Sequence, residues 1–223
     1  YSHRDPEEAA RQVASLLLRT GRIEDRVLDA GCGAGRHLSV LRQHGCKAVG
    51  LDLSRHLLSR AVSQGRGPVA CADLRCPPFR QGTFGLVASF FTVFGYLDSS
   101  DDDASLFAAL AGLVRSGGWL FQDLPNPAHV RSTLVPRDER GIDGGRVIQE
   151  RALVGDQVVK TITVERDGTA PELYFERVRL WEMDQIDALA RPLGLVKEAV
   201  MGDSSGSTAT SASPRQAILW RKP

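Results

Sequence analysis

The chain has 223 residues, of which 42% are hydrophobic and 25% charged, and 28 basic residues against 27 acidic ones give a formal net charge of +1. This length and composition are typical of one globular domain with a sizeable core, and they argue against disorder. A net charge near zero produces no strong positive potential that would attract nucleic acid or an anionic membrane. No apolar run approaches the roughly 20 residues of a membrane span. The four cysteines form neither a CxxC pair nor a set with zinc spacing. We therefore predict a soluble, cytoplasmic protein with no metal site, no membrane partner and no nucleic-acid partner.

Apolar periodicity predicts alternating helices and strands over the first 124 residues. The segment Asp5-Pro6-Glu7-Glu8 combines an Asp N-cap, a first-turn proline and a capping-box acid, and predicts a helix that ends near Gly21. Predicted strands follow over residues 27–30, 48–51, 69–72, 84–91 and 119–122. Predicted helices lie between these strands, one over 36–44, one that begins at the N-cap Ser54, and one over 101–114. The acidic run 101–103 would offset the dipole of the third helix, and a turn is predicted at 116–118. Repeated strand–helix units give a parallel sheet with helices on both faces.

From about Pro125 the pattern changes to that of an antiparallel meander. A short helix around His129 is followed by three strand-like segments over 145–154, 157–166 and 173–180, which Gly-Asp and Asp-Gly pairs separate. A helix over 184–191, a strand over 195–201, a Ser/Thr/Gly/Ala loop over 202–213 and a strand over 216–220 complete the chain. We predict one domain over residues 1–223, in which residues 125–182 form an inserted helix and antiparallel strands that serve as a cap or a dimer surface.

The stretch VLDAGCGAGRH over residues 27–37 places three glycines directly after a predicted buried strand. Glycine in such numbers permits a tight turn or the close approach of a ligand, and ligands of open parallel sheets bind beyond the carboxyl ends of the strands. A dinucleotide loop reads GxGxxG around a pyrophosphate, whereas this loop reads GxGxG, and Asp29, Asp52 and Asp73 end three strands beside it. So many carboxylates would suit a cationic ligand with an amine, a ribose and an adenine better than a pyrophosphate. An NAD(P)-dependent oxidoreductase is thereby disfavoured but stays open.

With these motifs the sequence resembles the class I S-adenosylmethionine-dependent methyltransferases. The resemblance rests on five segments in order over roughly residues 27–124: VLDAGCGAGRH, VGLDLS, CADLRCPPF, FGLVASFFTVFGYL and LVRSGGWLFQDL. TVFGYL is similar to the SFGYF signature of a group of small-molecule methyltransferases, with Val93 at the position of the usual serine. The resemblance implies an α/β, Rossmann-like fold with a seven-stranded, mostly parallel sheet, and S-adenosylmethionine as the cofactor.

The resemblance also implies roles for residues at the carboxyl edge of the sheet. The methionine part of the cofactor would lie along the glycine loop, with its amine on Asp29, its ribose on Asp52 and its sulfonium near the ring of Phe90. The N-terminal residues would fold over it as a lid, in which Arg4 meets the cofactor carboxylate. The predicted cofactor-binding residues are Tyr1, Arg4, Asp29, Ala30, Gly31, Cys32, Gly33, Asp52, Leu53, Asp73, Leu74 and Phe90.

Methyl transfer from a sulfonium requires mainly alignment and the exclusion of water, and a base only if the acceptor must lose a proton. Tyr96 and His129 are the candidate catalytic residues, as groups that orient an acceptor. The Asn/Asp-Pro-Pro-aromatic motif of enzymes that act on exocyclic base nitrogens is absent, because Ser89-Phe90-Phe91-Thr92 stands in its place. We therefore predict methyl transfer to a nitrogen or oxygen atom of a small-molecule acceptor, and a homodimer formed through the inserted strands. A protein that binds the cofactor without turnover stays open.

Each predicted role has a simpler structural alternative that the sequence leaves open. Acids at strand ends also cap helices or terminate strands, which applies to Asp52 and Asp73. Cys32 is interpreted as a small side chain in a tight place and not as a nucleophile. His37 follows the glycine loop and is as consistent with a structural role as with cofactor contact. Tyr96 could be a core aromatic residue, and His129 a surface residue.

Overall fold

The computed structural model describes residues 6–21 and 25–223, so the predicted cofactor contacts of Tyr1 and Arg4 lie outside the described residues. The α-helices are α1 Pro6–Thr20, α2 Arg36–Gln43, α3 Arg55–Ser63, α4 Ser100–Leu113, α5 Pro127–Thr133 and α6 Met183–Ala190, and a 3-10 turn spans Arg191–Leu193. The strands are β1 Arg26–Ala30, β2 Lys47–Asp52, β3 Val69–Cys71, β4 Phe84–Ser89, β5 Val114–Pro125, β6 Arg137–Ile142, β7 Gly145–Val154, β8 Gln157–Arg166, β9 Glu172–Arg179, β10 Val196–Met201 and β11 Arg215–Arg221.

Seven strands form a central sheet in the order β10-β11-β5-β4-β1-β2-β3. All of them run parallel except β11, which is antiparallel to both of its neighbours. The predicted Rossmann-like α/β fold is thereby confirmed. The strand order reverses between β1 and β4, and ligands of open α/β sheets bind beside such a reversal, at the carboxyl ends of the strands.

The two faces of the central sheet pack against different helices. Neighbouring residues of β4 point to opposite faces, as successive strand residues do, so Leu86 belongs to the core formed with α1 and α2. Val87 belongs to the larger core on the other face, which includes Phe107 of α4 and Trp220 of β11. All six residues of β4 are buried, which explains why its sequence is almost continuously apolar. Each such aliphatic or aromatic side chain contributes about 1.5–3 kcal/mol when fully buried.

A second sheet consists of the antiparallel strands β6-β7-β8-β9. Three of these strands match the segments predicted from the sequence. The fourth, β6, reads RDERGI and was not predicted, because it has no apolar alternation. Its charged side chains pair across the sheet instead, as Arg137 does with Glu150 at 3.0 Å.

Two predicted boundaries, at opposite edges of the central sheet, are wrong. Strand β4 ends at Ser89 and not at residue 91, because the positive φ angles of Phe91 and Thr92, 55° and 56°, turn the chain out of the extended conformation. The predicted turn at residues 116–118 lies inside β5, where Gly117 with φ 69° accompanies a shift of register against β4. Among the described residues no helix combines the length and the apolar character needed to cross a membrane.

Candidate active site

The glycine loop after β1 folds across the end of β2. Gly31, Gly33 and Gly35 have φ angles of 76°, 53° and 77°, a region that favours glycine. The backbone amides of Gly31 and Cys32 both donate to the carbonyl of Leu51, at 2.7 and 3.1 Å. The loop is therefore fixed to the second strand, and Gly35 leads directly into α2.

Gly31 is also in close contact with the segment that follows β4. A Cβ atom built on Gly31 would overlap the Cγ2 methyl of Val93 and lie 3.1 Å from its Cγ1. Val93 is the residue that replaces the serine of the resembled signature. The glycine at this position is thus needed for two reasons, its backbone conformation and the side chain packed against it.

Asp52, the last residue of β2, joins the glycine loop to the turn that begins α3. Its Oδ2 accepts from the amide of Gly33 at 2.8 Å, and its Oδ1 accepts from the amide of Ser54 at 2.8 Å. The N-cap of α3 is Ser54, whose hydroxyl accepts from the amide of Leu57, so Asp52 is not the capping residue. Each carboxylate oxygen retains a second lone pair for a ligand. Leu53 beside it is exposed.

Asp29 is a buried carboxyl group at the end of β1, and Ala30, the last residue of that strand, is buried as well. Burial is the main reason that the pKa of Asp29 is raised to about 7, and the negative charge of Asp52 acts in the same direction. The hydrogen bond from the Leu38 amide and the charge of Arg36 partly oppose this rise. Its Oδ2 has no hydrogen-bond donor among the residues that the structure describes. A buried carboxylate oxygen without a donor suits a cationic group of a ligand.

The thiol of Cys32 is confined and protonated. Burial, followed by the charges of Asp29 and Asp52, raises the pKa of this thiol far above its usual value. A Cβ atom at Gly50 would lie 2.5 Å from the Cys32 sulfur, which shows how tightly the side chain is enclosed. These features support its interpretation as a small side chain and argue against a nucleophile.

Asp73 follows β3 and forms an ion pair with Arg75. The Arg75 Nη2 lies 2.7 Å from the Asp73 Oδ2, and this hydrogen bonding holds the pKa of Asp73 below its usual value. Arg75 also reaches Asp102 at 3.1 Å. Leu74, between the two paired residues, is buried in the larger core.

Phe90 is buried, and one face of its ring is covered by His37. The two rings stack with centroids 4.2 Å apart and an angle of 5° between their planes. The His37 Nε2 lies 3.0 Å from the Gln12 Oε1, and the Gln12 Nε2 donates to the Asp123 Oδ2 at 2.8 Å. His37 therefore has a structural role, and Gln12 and Asp123 are polar residues of this edge that sequence reasoning missed.

Tyr96 connects the segment after β4 to the second sheet. Tyr96 is 42% exposed, which rules out the core alternative, and its hydroxyl donates to the Glu176 Oε1 of β9 at 2.6 Å. The Lys160 Nζ lies 3.4 Å from the Glu176 Oε2. His129, the other candidate catalytic residue, lies half-buried on α5, which begins directly after β5.

Comparison with known proteins agrees with this geometry. A family model described as a methyltransferase domain matches residues 28–122. The dTDP-3-amino-3,4,6-trideoxy-alpha-D-glucopyranose N,N-dimethyltransferase of Streptomyces venezuelae is 27% identical over 210 residues, which cover 88% of this chain and 86% of that protein. Residues 28–122 thus match a methyltransferase domain, and the two matches support the class I S-adenosylmethionine-dependent methyltransferase family that the sequence resembles. The resemblance stated from the sequence is thereby confirmed, and with it an enzyme that uses S-adenosylmethionine.

Two solved structures show how completely the methyltransferase fold is shared. An S-adenosylmethionine-dependent methyltransferase from Clostridium acetobutylicum has a TM-score of 0.83 at 20% identity, over 99% of this chain and 93% of that one. CalS10, an amino pentose methyltransferase from Micromonospora echinaspora solved with S-adenosylmethionine bound, has a TM-score of 0.75 at 18% identity, over 100% of this chain and 93% of that one. At these identities the likeness concerns the fold.

The donor set of this methyltransferase fits its cofactor. The Asp29 Oδ2, to which no described residue donates, suits the amine, and the lone pairs of Asp52 that Gly33 and Ser54 do not use suit a ribose diol. The glycine loop lets a ligand approach its backbone. Asp73 accepts hydrogen bonds from Arg75 with both oxygens, so a contact with adenine would use the lone pairs that remain. The assignment of individual residues to parts of the cofactor stays a prediction.

Proposed function

We propose that this methyltransferase transfers a methyl group to a nitrogen atom of a small-molecule acceptor, with an oxygen atom as the second candidate. The observation that carries the proposal is the Tyr96–Glu176 hydrogen bond of 2.6 Å. It brings β9 of the second sheet against the segment after β4, at the carboxyl edge where the strand order reverses. A second sheet held over this edge supports a small acceptor more than a polymer that needs an open groove.

Nitrogen is favoured over oxygen by the chemistry at this contact and by the relatives. A carboxylate and a tyrosine oxygen can accept hydrogen bonds from an amine and hold the proton that an ammonium acceptor must lose. The Streptomyces venezuelae relative is named as an amino sugar nucleotide N,N-dimethyltransferase, and CalS10 as an amino pentose methyltransferase. We therefore propose an amino group on a sugar-sized acceptor.

The proposed mechanism assigns alignment to the protein. S-adenosylmethionine supplies a methyl group on a sulfonium that is already activated for displacement. Asp29 would hold the amine and Asp52 the ribose, while Gly31 and Gly33 admit the methionine part. Phe90 would exclude water beside the sulfonium, and Tyr96 with Glu176 would orient the acceptor nitrogen. His129 is proposed as a second orienting group, and the cytoplasmic location stays a prediction.

The test is a screen of acceptors with the purified enzyme and S-adenosylmethionine. The panel contains amino sugar nucleotides, the same compounds with hydroxyl in place of the amine, and two polymers, duplex DNA and an unfolded protein. S-adenosylhomocysteine release and a mass gain of one methyl group identify the product. Methylation of the amine compounds alone supports the proposal. Turnover of the hydroxyl compounds would change the proposed acceptor atom to oxygen, and turnover of a polymer alone would overturn the proposal of a small-molecule acceptor.

A further inference from the structure

The segment after β4, residues 91–97 with the sequence FTVFGYL, is bound at its first end by a buried carboxylate. Asp123 of β5 is 2% exposed, and its Oδ2 accepts from the amide of Phe91 at 3.0 Å. Its Oδ1 accepts from the Arg215 Nε at 2.7 Å, and the Arg215 Nη2 also donates to the Thr92 Oγ1 at 2.8 Å. The Thr92 amide donates to the backbone carbonyl of Asp123 at 2.9 Å. Asp123 and Arg215 therefore hold both residues of the turn.

These contacts fall on the two residues whose backbone is disfavoured. Phe91 and Thr92 are the described non-glycine residues with positive φ, at 55° and 56°, and a β-branched threonine is especially poor there. Such a conformation persists only where the surrounding structure over-determines it, and it concentrates at functional sites. The Asp123–Arg215 pair is that surrounding structure.

A second buried carboxylate binds the other end of the same segment. Asp103 of α4 is fully buried, and its Oδ1 accepts from the amides of Gly95 at 3.1 Å and Leu97 at 3.4 Å. Its Oδ2 accepts from the Arg179 Nη1 at 2.6 Å and the Trp181 Nε1 at 3.2 Å. Asp103, the last residue of the acidic run 101–103, therefore does more than offset a helix dipole, because it binds the second end of the segment 91–97.

Between the two ends, the segment touches the glycine loop. Val93 fills the space that a Cβ atom at Gly31 would need, and Phe90 directly precedes the segment. Any shift of residues 91–97 would therefore move Val93 against the backbone along which the cofactor is expected to lie. Packed interiors transmit such shifts because they contain little free volume.

We propose that Asp123–Arg215 and Asp103–Arg179 are positioning residues that clamp residues 91–97 at both ends and so fix the glycine loop, through Val93, in the shape that binds S-adenosylmethionine. Buried ion pairs add little net stability to a fold, since their desolvation offsets their attraction. The carboxylates of both pairs accept hydrogen bonds from amides of residues 91–97, so we attribute the presence of these pairs to the positioning of that segment. The inference concerns the cofactor side of the site and goes beyond the proposed acceptor.

The test compares Asp123→Asn and Asp103→Asn with the matched control Asp187→Asn, which removes a carboxylate from the exposed Asp187–Lys197 pair. Amide hydrogen exchange is measured by NMR in each purified variant, and the dissociation constant for S-adenosylmethionine by calorimetry. In Asp123→Asn we expect exchange at Phe91 to accelerate about tenfold or more, since a hydrogen bond to a charged acceptor is lost. In Asp103→Asn the same is expected at Gly95 and Leu97, and both variants bind the cofactor about tenfold more weakly.

Two results would overturn the inference. Exchange that accelerates equally throughout the central sheet would show that the carboxylates support the fold in general. Faster exchange confined to residues 91–97 with unchanged cofactor affinity would show that the segment does not shape the cofactor site. If an asparagine variant does not fold, Arg179→Lys or Arg215→Lys replaces it, because lysine keeps the positive charge but loses the forked hydrogen bonding of arginine. Amide exchange and cofactor affinity are then compared in the same way. The control should change neither readout.

Discussion

Val93 packs directly on the backbone of Gly31, although 62 positions separate them in the sequence and they follow different strands. This contact joins the glycine loop after β1 to the segment after β4, on either side of the point where the strand order reverses. It gives the replacement of the signature serine by valine a physical meaning. The position serves packing against the glycine loop, and no hydroxyl chemistry is required of it.

We expect Gly31→Ala to destabilise the enzyme and to abolish measurable cofactor binding. Alanine is strained at a φ of 76°, and its methyl group would overlap Val93, for a combined loss of about 2–5 kcal/mol. The measurement is thermal unfolding together with calorimetric titration of S-adenosylmethionine. Gly45→Ala is the matched control, because Gly45 has a φ of 85° and no atom within 4 Å of a built Cβ. Equal losses in the two variants would show that the Val93 contact is unimportant.

The affinity for S-adenosylmethionine should rise with pH. The buried Asp29 has a pKa of about 7, and an ammonium group bound to it favours the charged carboxylate, so binding at lower pH must release a proton. From about pH 6 to about pH 7.5 the dissociation constant should fall by about fivefold to tenfold. Calorimetry in buffers of different ionisation enthalpy counts the released proton. Asp29→Asn should remove the pH dependence, and a persisting slope would exclude Asp29 as its source.

The same group has the opposite influence on the stability of the cofactor-free enzyme. Its pKa in the folded protein is raised, so between the ordinary value of 3.8 and about 7 the folded state holds a proton that the unfolded chain has lost. The contribution of Asp29 to the free energy of unfolding therefore declines as pH rises through this window. Urea unfolding at several pH values should show a shallower decline in Asp29→Asn, and an unchanged decline would contradict the assignment.

Asp52→Ala should weaken cofactor binding by about tenfold to a hundredfold, because a charged hydrogen-bond acceptor is removed. Part of this loss would come from the freed amides of Gly33 and Ser54, which Asp52 now binds. Comparison of S-adenosylhomocysteine with its 2′-deoxy analogue isolates the ribose contact. The wild-type enzyme should prefer the hydroxylated ligand and the variant should not. An equal preference in both proteins would place the ribose elsewhere.

Tyr96→Phe and Glu176→Gln should lower kcat/KM for the acceptor identified in the screen by about tenfold or more, and leave the affinity for S-adenosylmethionine within about twofold. The reason is that Tyr96→Phe removes the donor of the 2.6 Å hydrogen bond at the proposed acceptor contact, whereas Glu176→Gln removes the negative charge of its acceptor. Neither substitution alters a residue of the glycine loop. Steady-state kinetics with calorimetry separates the two effects. A loss of cofactor affinity without a kinetic effect on the acceptor would reassign the pair to cofactor binding.

The second sheet is expected to form a homodimer through β9. Leu173 and Phe175 lie on one face of this strand, and Phe175 is 71% exposed, which is unusual for a large apolar side chain next to another. Phe175→Glu should therefore shift the enzyme from dimer to monomer in sedimentation velocity. Leu18→Glu is the matched control, since Leu18 is 86% exposed on α1. A wild-type protein that is monomeric at all concentrations would contradict the dimer hypothesis, and the inserted strands would then be assigned the alternative role of a cap.

Much of the fold could be predicted because its signals are local. The apolar runs that became β1, β2, β4 and β7 to β9 each have the length and pattern of a strand, and helix boundaries such as Ser54 carry a capping residue. Strand β6 was missed because its charged sequence is stabilised by cross-strand ion pairs that form only once β7 lies beside it. The end of β4 was misplaced because the turn at Phe91 and Thr92 opposes their own backbone preference.

At the candidate site, the glycine loop, the acids near three strand ends and the family resemblance could be predicted from the sequence, since all of these depend on residue type and short spacing. Which side chains act together could be known only from the folded chain. The stacking of His37 on Phe90, the buried pairs of Asp123 with Arg215 and of Asp103 with Arg179, and the contact of Val93 with Gly31 join residues from distant segments. Such contacts depend on how helices and strands pack around the sheet, and local propensity carries no information about them.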